Sequence, residues 1–492
     1  MSEILDSGPR RATDPARSVA TSPPAARSPR WWVELRPLLL RLHFYAGVFA
    51  GPFLLVAAVT GLLYTVTPQI EQIVHRHELT AGSDHAPGAA PLPLQAQVAS
   101  AVASVPDGTV FEIRPASTPE GTTRVSFESP TDTDGYTRTA FVDPYNAQVR
   151  GVLRTYGEWL PVRAWFDELH RTLHLGTVGE VYSEVAASWL WVVALSGLGI
   201  WIGRRRRDLR LRRTLLPEGS ARGRTRLRSW HASVGLWAAI GMLFLSATGL
   251  TWSQFAGANV TALRSTLDWK TPSVSKTLPS TAEPAAIGAG PAPADLGATA
   301  DLVRASARVA GVSDPIAITP ATTDATAWVV EQTQRSWPVK QDSAAVDPRS
   351  GVVVDHLRFA DWPIAAKLAR WGIDAHMGLL FGVANQVILA VLALGISCIV
   401  VWGYRMWWLR TPTGGTPVPL GAGQRPGFAP VLALGVVAVG VGLFLPVLGT
   451  TLVGFLVFDV LRQHRRPVAA CGPAGTGDPV TAGDPAARSR GN

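Results

Sequence analysis

Long uncharged runs alternate along this chain with stretches rich in Pro, Thr, Ala and Asp. A soluble protein spreads its apolar residues at helix or strand period. Here several runs instead pass the roughly 18 to 20 residues that cross a hydrocarbon core. The pattern predicts a polytopic α-helical membrane protein with spans at 36–66, within 159–203, at 230–253 and within 363–408. A last apolar run at 428–461 is longer than one span and is interrupted by Pro446, so it reads as a single helix or a hairpin of two short ones. The basic cluster Arg462, His464, Arg465 and Arg466 behind it favours the hairpin, which returns the chain to the cytoplasmic side.

The segments between the spans have a different texture. Residues 67–158 carry a helical stretch from Leu94 to Val105 and alternating runs at Thr109 to Ile113, Arg124 to Phe127 and Tyr136 to Val142. They predict an extracytoplasmic α+β module. Residues 254–362 form a second such module behind a Pro/Ala/Thr-rich linker. Amphipathic surface helices precede the spans in 159–203 and 363–408. The stretches 1–35 and 462–492 read as disordered cytoplasmic tails, 204–229 as a very basic cytoplasmic loop and 409–427 as a cytoplasmic linker.

Charge fixes orientation and removes one function class. The chain carries a net charge of +9, concentrated beside the apolar runs, as in Arg204 to Arg207 and Arg210. That distribution is cytoplasmic anchoring, with the N-terminus inside, and not a face that tracks nucleic-acid phosphates. The predicted setting is therefore the lipid of a bacterial plasma membrane, with no nucleic-acid partner. Only Cys398 and Cys471 are present, so there is neither a disulfide framework nor a C-x-x-C-H haem attachment.

The sequence also repeats itself. LHFYAGVFAGPFLLVAAVTGLLY in the first span matches WHASVGLWAAIGMLFLSATGLTW in the third. With His43 on His231, Gly47 falls on Gly235, Thr60 on Thr248, Gly61 on Gly249 and Tyr64 on Trp252. VDP at Asp143 matches VDP at Asp347, and HLG at His174 matches HMG at His376. Two parallel repeats of helix, α+β module and helix follow, related by a pseudo-twofold axis along the membrane normal.

Of ten histidines, the repeat singles out His43, His231, His174 and His376. It predicts an inner pair, His43 with His231, and an outer pair, His174 with His376. Paired imidazoles on facing helices suit non-covalent haem b, whose iron takes two axial ligands. Gly47, Gly51, Gly235 and Gly241 are candidates for admitting the flat ring. His170, one helical turn before His174, is an alternative ligand or a contact for a haem propionate; Gly372 at the matching place in the second copy favours His174. A histidine at an interface can also simply satisfy a carbonyl, which is the competing reading for each position. The Thr-Gly pairs read as helix-packing positions.

On LHRTLHLGTVGEVYSE from Leu169, SGLGIW from Ser196 and the WH…TG pattern of the third span, the chain resembles the PepSY-associated transmembrane family, over roughly residues 35–465. The two VDP segments resemble closing strands of PepSY modules. The resemblance implies an iron-regulated membrane protein or ferric-siderophore reductase with two b-type haems, passing electrons to an extracytoplasmic ferric chelate. No Gly-rich dinucleotide fingerprint follows a strand in any cytoplasmic segment, so the donor is expected to be a quinol or a separate reductase. Two alternatives stand beside this: a scaffold whose PepSY modules restrain an extracytoplasmic peptidase, and a metal-chelate transporter.

Overall fold

The computed structural model describes residues 30–86, 88–132, 135–205, 215–278, 293–323, 325–410 and 428–464. Both expected tails lie largely outside these residues, as do 206–214 of the basic loop and most of the linker at 409–427.

Four helices are long and apolar enough to cross a membrane: α1 (Arg30–Tyr64), α6 (Thr177–Arg205), α7 (Gly223–Leu250) and α11 (Val383–Trp408). Each is apolar on nearly every face, as a lipid-embedded helix must be. α1 and α7 start earlier than the hydropathy boundaries suggest, because the basic residues before each span continue the helix. α1 and α7 each flank both α6 and α11, so the four form a ring with α1 and α7 facing one another across its centre. Polar side chains link neighbours, as lipid-buried hydroxyls usually do. The Tyr182 hydroxyl donates to the Phe53 carbonyl (2.8 Å), that of Ser246 to Ala187 (2.7 Å) and that of Tyr404 to Val48 (2.6 Å).

Chain direction puts every excursion at one end of the ring. From the C-terminus of α1 the chain passes through α2 (Thr67–Val74), α3 (Arg76–Leu79) and α4 (Leu94–Ser104) into strands β1 (Thr109–Arg114), β2 (Thr123–Glu128), β3 (Tyr136–Val142) and β4 (Val149–Tyr156). It returns through α5 (Pro161–Thr172) to α6. From α7 the same path runs through α8 (Phe255–Thr266), α9 (Pro293–Val309), β5 (Ile316–Thr319), β6 (Trp328–Gln332), β7 (Ser343–Val346), β8 (Val353–Leu357) and α10 (Ile364–His376) to α11.

The two strand sets are not separate modules. They join into one eight-stranded antiparallel sheet, ordered β4-β3-β2-β1-β5-β6-β7-β8, through Ile113 opposite Ile318 at the β1–β5 seam. Joining the edges removes two exposed strand rims that separate modules would leave. One core serves both halves: Ile113, Val125 and Phe127 pack with Ile316, Ile318 and Val330 beneath α4 and α9. Asp301 of α9 accepts from the Leu94 and Gln95 backbone N–H groups at the start of α4, satisfying helix-end donors across the halves. Phe127→Ala, at a fully buried position, is expected to cost about 3–5 kcal/mol. The check is a lowered thermal unfolding midpoint of the detergent-solubilised protein.

The C-terminal run is two helices, α12 (Phe428–Phe444) and α13 (Pro446–His464). A continuous helix would hold Gly442 and Gly449 about 10 Å apart. Here a Cβ on Gly449 would lie 2.6 Å from the Gly442 carbonyl oxygen, so the chain folds back between them. α13 leans on the ring through the Trp189 Nε1–H, which donates to the Thr451 hydroxyl (3.0 Å).

Candidate histidine sites

Four buried or half-buried imidazoles share one local architecture. His43 on α1 and His231 on α7 face each other across the centre of the ring, centroids 6.1 Å apart and planes at 78°. His43 Nδ1 lies 3.1 Å from both the Val193 carbonyl and the Ser196 hydroxyl on α6. The Ser196 hydroxyl donates to the Val192 carbonyl (2.6 Å), so it accepts from the ring, and Nδ1 carries the proton. His231 Nδ1 likewise donates to the Ile399 carbonyl on α11 (3.0 Å). Both rings therefore keep an unprotonated Nε2, with no hydrogen-bond partner among the described residues. An Nδ1–H held by a carbonyl is the usual arrangement of a metal-ligating histidine.

The outer level repeats this arrangement. His170, in the last turn of α5, sets Nδ1 2.9 Å from the Thr60 hydroxyl, and His376, the last residue of α10, sets Nδ1 against that of Thr248. Thr60 donates to the Val56 carbonyl (2.9 Å) and Thr248 to that of Phe244 (2.8 Å). Each hydroxyl proton is thus committed to the helix, and each oxygen receives the ring proton. Burial pushes the His170 pKa down to about 4. Burial, then the neighbouring His170, pushes that of His376 down to about 3. At neutral pH both rings are uncharged, with a free lone pair on Nε2.

A glycine backs each ring. An added Cβ would stand 3.0 Å from His43 Cε1 at Gly197, 3.7 Å from His231 Cε1 at Gly403, 3.1 Å from His170 Cε1 at Gly61 and 3.9 Å from His376 Cε1 at Gly249. At the tightest of these, Gly197 and Gly61, even a methyl group would press on the ring and displace it by a few tenths of an ångström.

Of the expected outer pair, His376 lies in such a cradle and His174 does not. His174 is exposed, in a left-handed conformation (φ 56°) just past the end of α5, with its ring against Trp165. His170 stands where the Thr-Gly pair of α1 can hold it. The repeat register over this segment is 206 residues (170 to 376, 193 to 399, 197 to 403). The HLG/HMG match has a register four residues shorter. It aligned the turns that follow the surface helices, where Gly176 and Gly378 both have positive φ, and not the helices themselves.

The glycines also divide differently from expectation. A Cβ at Gly47 or Gly235 would meet nothing within 4 Å. Each lies one turn along from His43 or His231 on the same helix face, so open space adjoins the facing imidazoles. Gly51 and Gly241 instead receive neighbouring side chains, Tyr404 and Leu392. Tyr64 does not flank His170; its hydroxyl accepts from Arg163 Nε (3.0 Å). Its counterpart Trp252 does stand edge-on to His376, centroids 5.3 Å apart.

The family model for the PepSY-associated TM region matches residues 40–410. The chain belongs to that family. No match is found among curated proteins. The family frame covers all four spans, both strand sets and all five candidate histidines.

Several positioning residues escaped sequence reasoning. Thr60 and Thr248 read there as helix-packing positions, and Ser196 and Gly403 drew no role. Glu184 drew no role either. It is fully buried in α6 and accepts from the Phe255 and Ala256 N–H groups, capping α8. A charge network also binds the surface helices to the sheet. Glu158 accepts from Arg114 Nη1 (3.1 Å) and pairs with Arg335 (2.6 Å). Asp374 of α10 pairs with Arg370 (3.1 Å) and Arg335 (3.8 Å). Burial alone would raise the Glu158 pKa, but Arg335 and Arg114 outweigh it and hold the carboxyl ionised.

Proposed function

We propose that the chain is a di-haem b membrane electron carrier in a bacterial plasma membrane, reducing a ferric chelate on the side where the sheet lies. The observation that carries this reading is the fourfold cradle: Nδ1–H fixed by an acceptor, Cε1 against glycine, Nε2 free. His43 and His231 would ligate an inner haem, and His170 and His376 an outer one. Two imidazole nitrogens, each about 2 Å from a shared metal, bring their ring centroids to about 6 Å. The inner pair, at 6.1 Å, fits that requirement. The open space at Gly47 and Gly235 fits the need for a flat slot. No group of three or more His, Cys, Asp or Glu suited to a metal ion occurs among the described residues, which leaves two-ligand coordination as the better match.

The two levels are 17 residues apart on both α1 (His43 to Thr60) and α7 (His231 to Thr248), or about 25 Å of helix. That nearly spans a hydrocarbon core. Haems bound there would supply one-electron carriers at two depths. The protein's own part is to fix the tautomer of each ligand, exclude water with the α1, α6, α7 and α11 ring, and keep the outer ligands neutral by burial. The basic residues beside the spans favour a cytoplasmic N-terminus, and so an extracytoplasmic sheet. A quinol or a separate reductase would deliver electrons from the other side. The test is to reduce the purified protein anaerobically and mix it with ferric citrate. One electron should leave the protein per ferric ion, seen as decay of the reduced α-band with stoichiometric ferrous iron. A stable reduced spectrum in excess ferric chelate would refute the reductase role.

A further inference from the structure

The four cradles differ in what receives the ring proton. At the inner level the acceptors are helix carbonyls, Val193 for His43 (3.1 Å) and Ile399 for His231 (3.0 Å). Each carbonyl belongs to the residue four before the glycine that backs the same ring, Gly197 or Gly403. With no side chain at that glycine, the imidazole reaches a helical oxygen that still has a second lone pair to offer. At the outer level the acceptors are hydroxyls, Thr60 for His170 (2.9 Å) and Thr248 for His376. An amide oxygen is a stronger acceptor than an aliphatic hydroxyl.

One position breaks the symmetry of the repeat. His43 Nδ1 also lies 3.1 Å from the Ser196 hydroxyl, whose own proton goes to the Val192 carbonyl. In the register that brings Gly197 onto Gly403, Ser196 falls on Trp402, which packs against Trp230 with centroids 6.0 Å apart. Among the described residues His43 therefore has two acceptors and His231 one. A serine in a membrane helix can satisfy its proton on the preceding turn with no further partner. Here the oxygen left over is spent on the ring.

We propose that these acceptors grade the redox potential across the membrane: carbonyls, with Ser196 as a positioning residue on His43, hold the inner haem at a lower midpoint potential than the hydroxyl-held outer one, and electrons run downhill from the His43–His231 level to the His170–His376 level. This rests on the di-haem reading. A stronger pull on Nδ1–H makes Nε2 the more basic ligand, which favours ferric iron. The step so biased is the loss of one electron at the inner level, ferrous to ferric, and its gain at the outer level, ferric to ferrous. The quinol or separate reductase replaces that electron, and the Nδ1 protons stay on their rings.

The experiment is a spectroelectrochemical titration of the full-length haem-loaded protein in detergent, with haem content measured beside it. Wild type should titrate in two one-electron steps, and His376→Ala, without its outer haem, should keep the lower step. Ser196→Ala should raise the lower midpoint and leave the upper in place, with Ser196→Thr restoring it. Thr60→Val, which keeps the shape and removes the acceptor, should raise the upper midpoint alone, with Thr60→Ser restoring it. The two positions serve separate levels, so loss of one haem in either variant leaves the other variant as the test. Coincident midpoints in wild type, the upper step surviving in His376→Ala, or two haems whose potentials ignore both Ser196→Ala and Thr60→Val would overturn the gradient and leave the haem sites standing. A protein without haem would fail the di-haem reading itself, and the gradient with it.

Discussion

Replacing His170 or His376 by alanine is expected to lower bound haem from about two per chain to about one, while His174→Ala keeps both. The contrast is the informative part, since His170 and His174 lie four residues apart at the end of one surface helix. His170 is held by Thr60 and backed by Gly61, and His376 by Thr248 and Gly249. His174 lies past the helix end, exposed. The check is pyridine haemochrome quantification against protein concentration for the three variants, beside a spectrum of the remaining haem. Loss of haem in His174→Ala with full retention in His170→Ala would restore the register in which the two HxG segments correspond.

Gly47→Leu is expected to remove the inner haem while leaving both inner imidazoles in place, and Gly235→Leu should do the same from the other side. A Cβ at either glycine meets nothing within 4 Å, so the side chain enters open space and not a packed contact. Leucine also favours a helix over glycine by about 1 kcal/mol, so a lowered unfolding midpoint is not expected from the backbone. Haem content near one per chain with an undiminished midpoint of the haem-free fold would show that the space is the slot. Full haem content in both variants would show that it is not.

The parts of the fold legible in the sequence are those fixed by one-dimensional constraints. Hydrocarbon thickness sets a minimum span length, and the four apolar runs meet it. The alternation at Arg124 to Phe127 and Tyr136 to Val142 gave strands because one face of the sheet is buried under α4 and α9. The β1–β5 seam was not legible, because the pairing of Ile113 with Ile318 joins residues 205 apart that lie in two segments predicted as separate modules.

The histidine sites were legible in part. That His43 and His231 face one another was legible because the first and third spans match without a gap. The outer pair slipped because similar letters marked similar turns, Gly176 and Gly378, while α10 continues to His376 and α5 stops at Thr172. Only the hydrogen bonds with Thr60 and Thr248 set His170 in the position that matches His376. A Thr-Gly pair is a common helix-packing element in lipid, so nothing in its letters distinguishes a packing contact from a histidine cradle.

The most direct measurement is the haem content and spin state of the full-length protein purified from haem-replete cells. About two b-type haems per chain, both low-spin as bis-imidazole coordination requires, are expected. A colourless protein, or haem retained unchanged when His43, His170, His231 and His376 are all replaced, would contradict the ligand assignment and leave only the membrane fold standing.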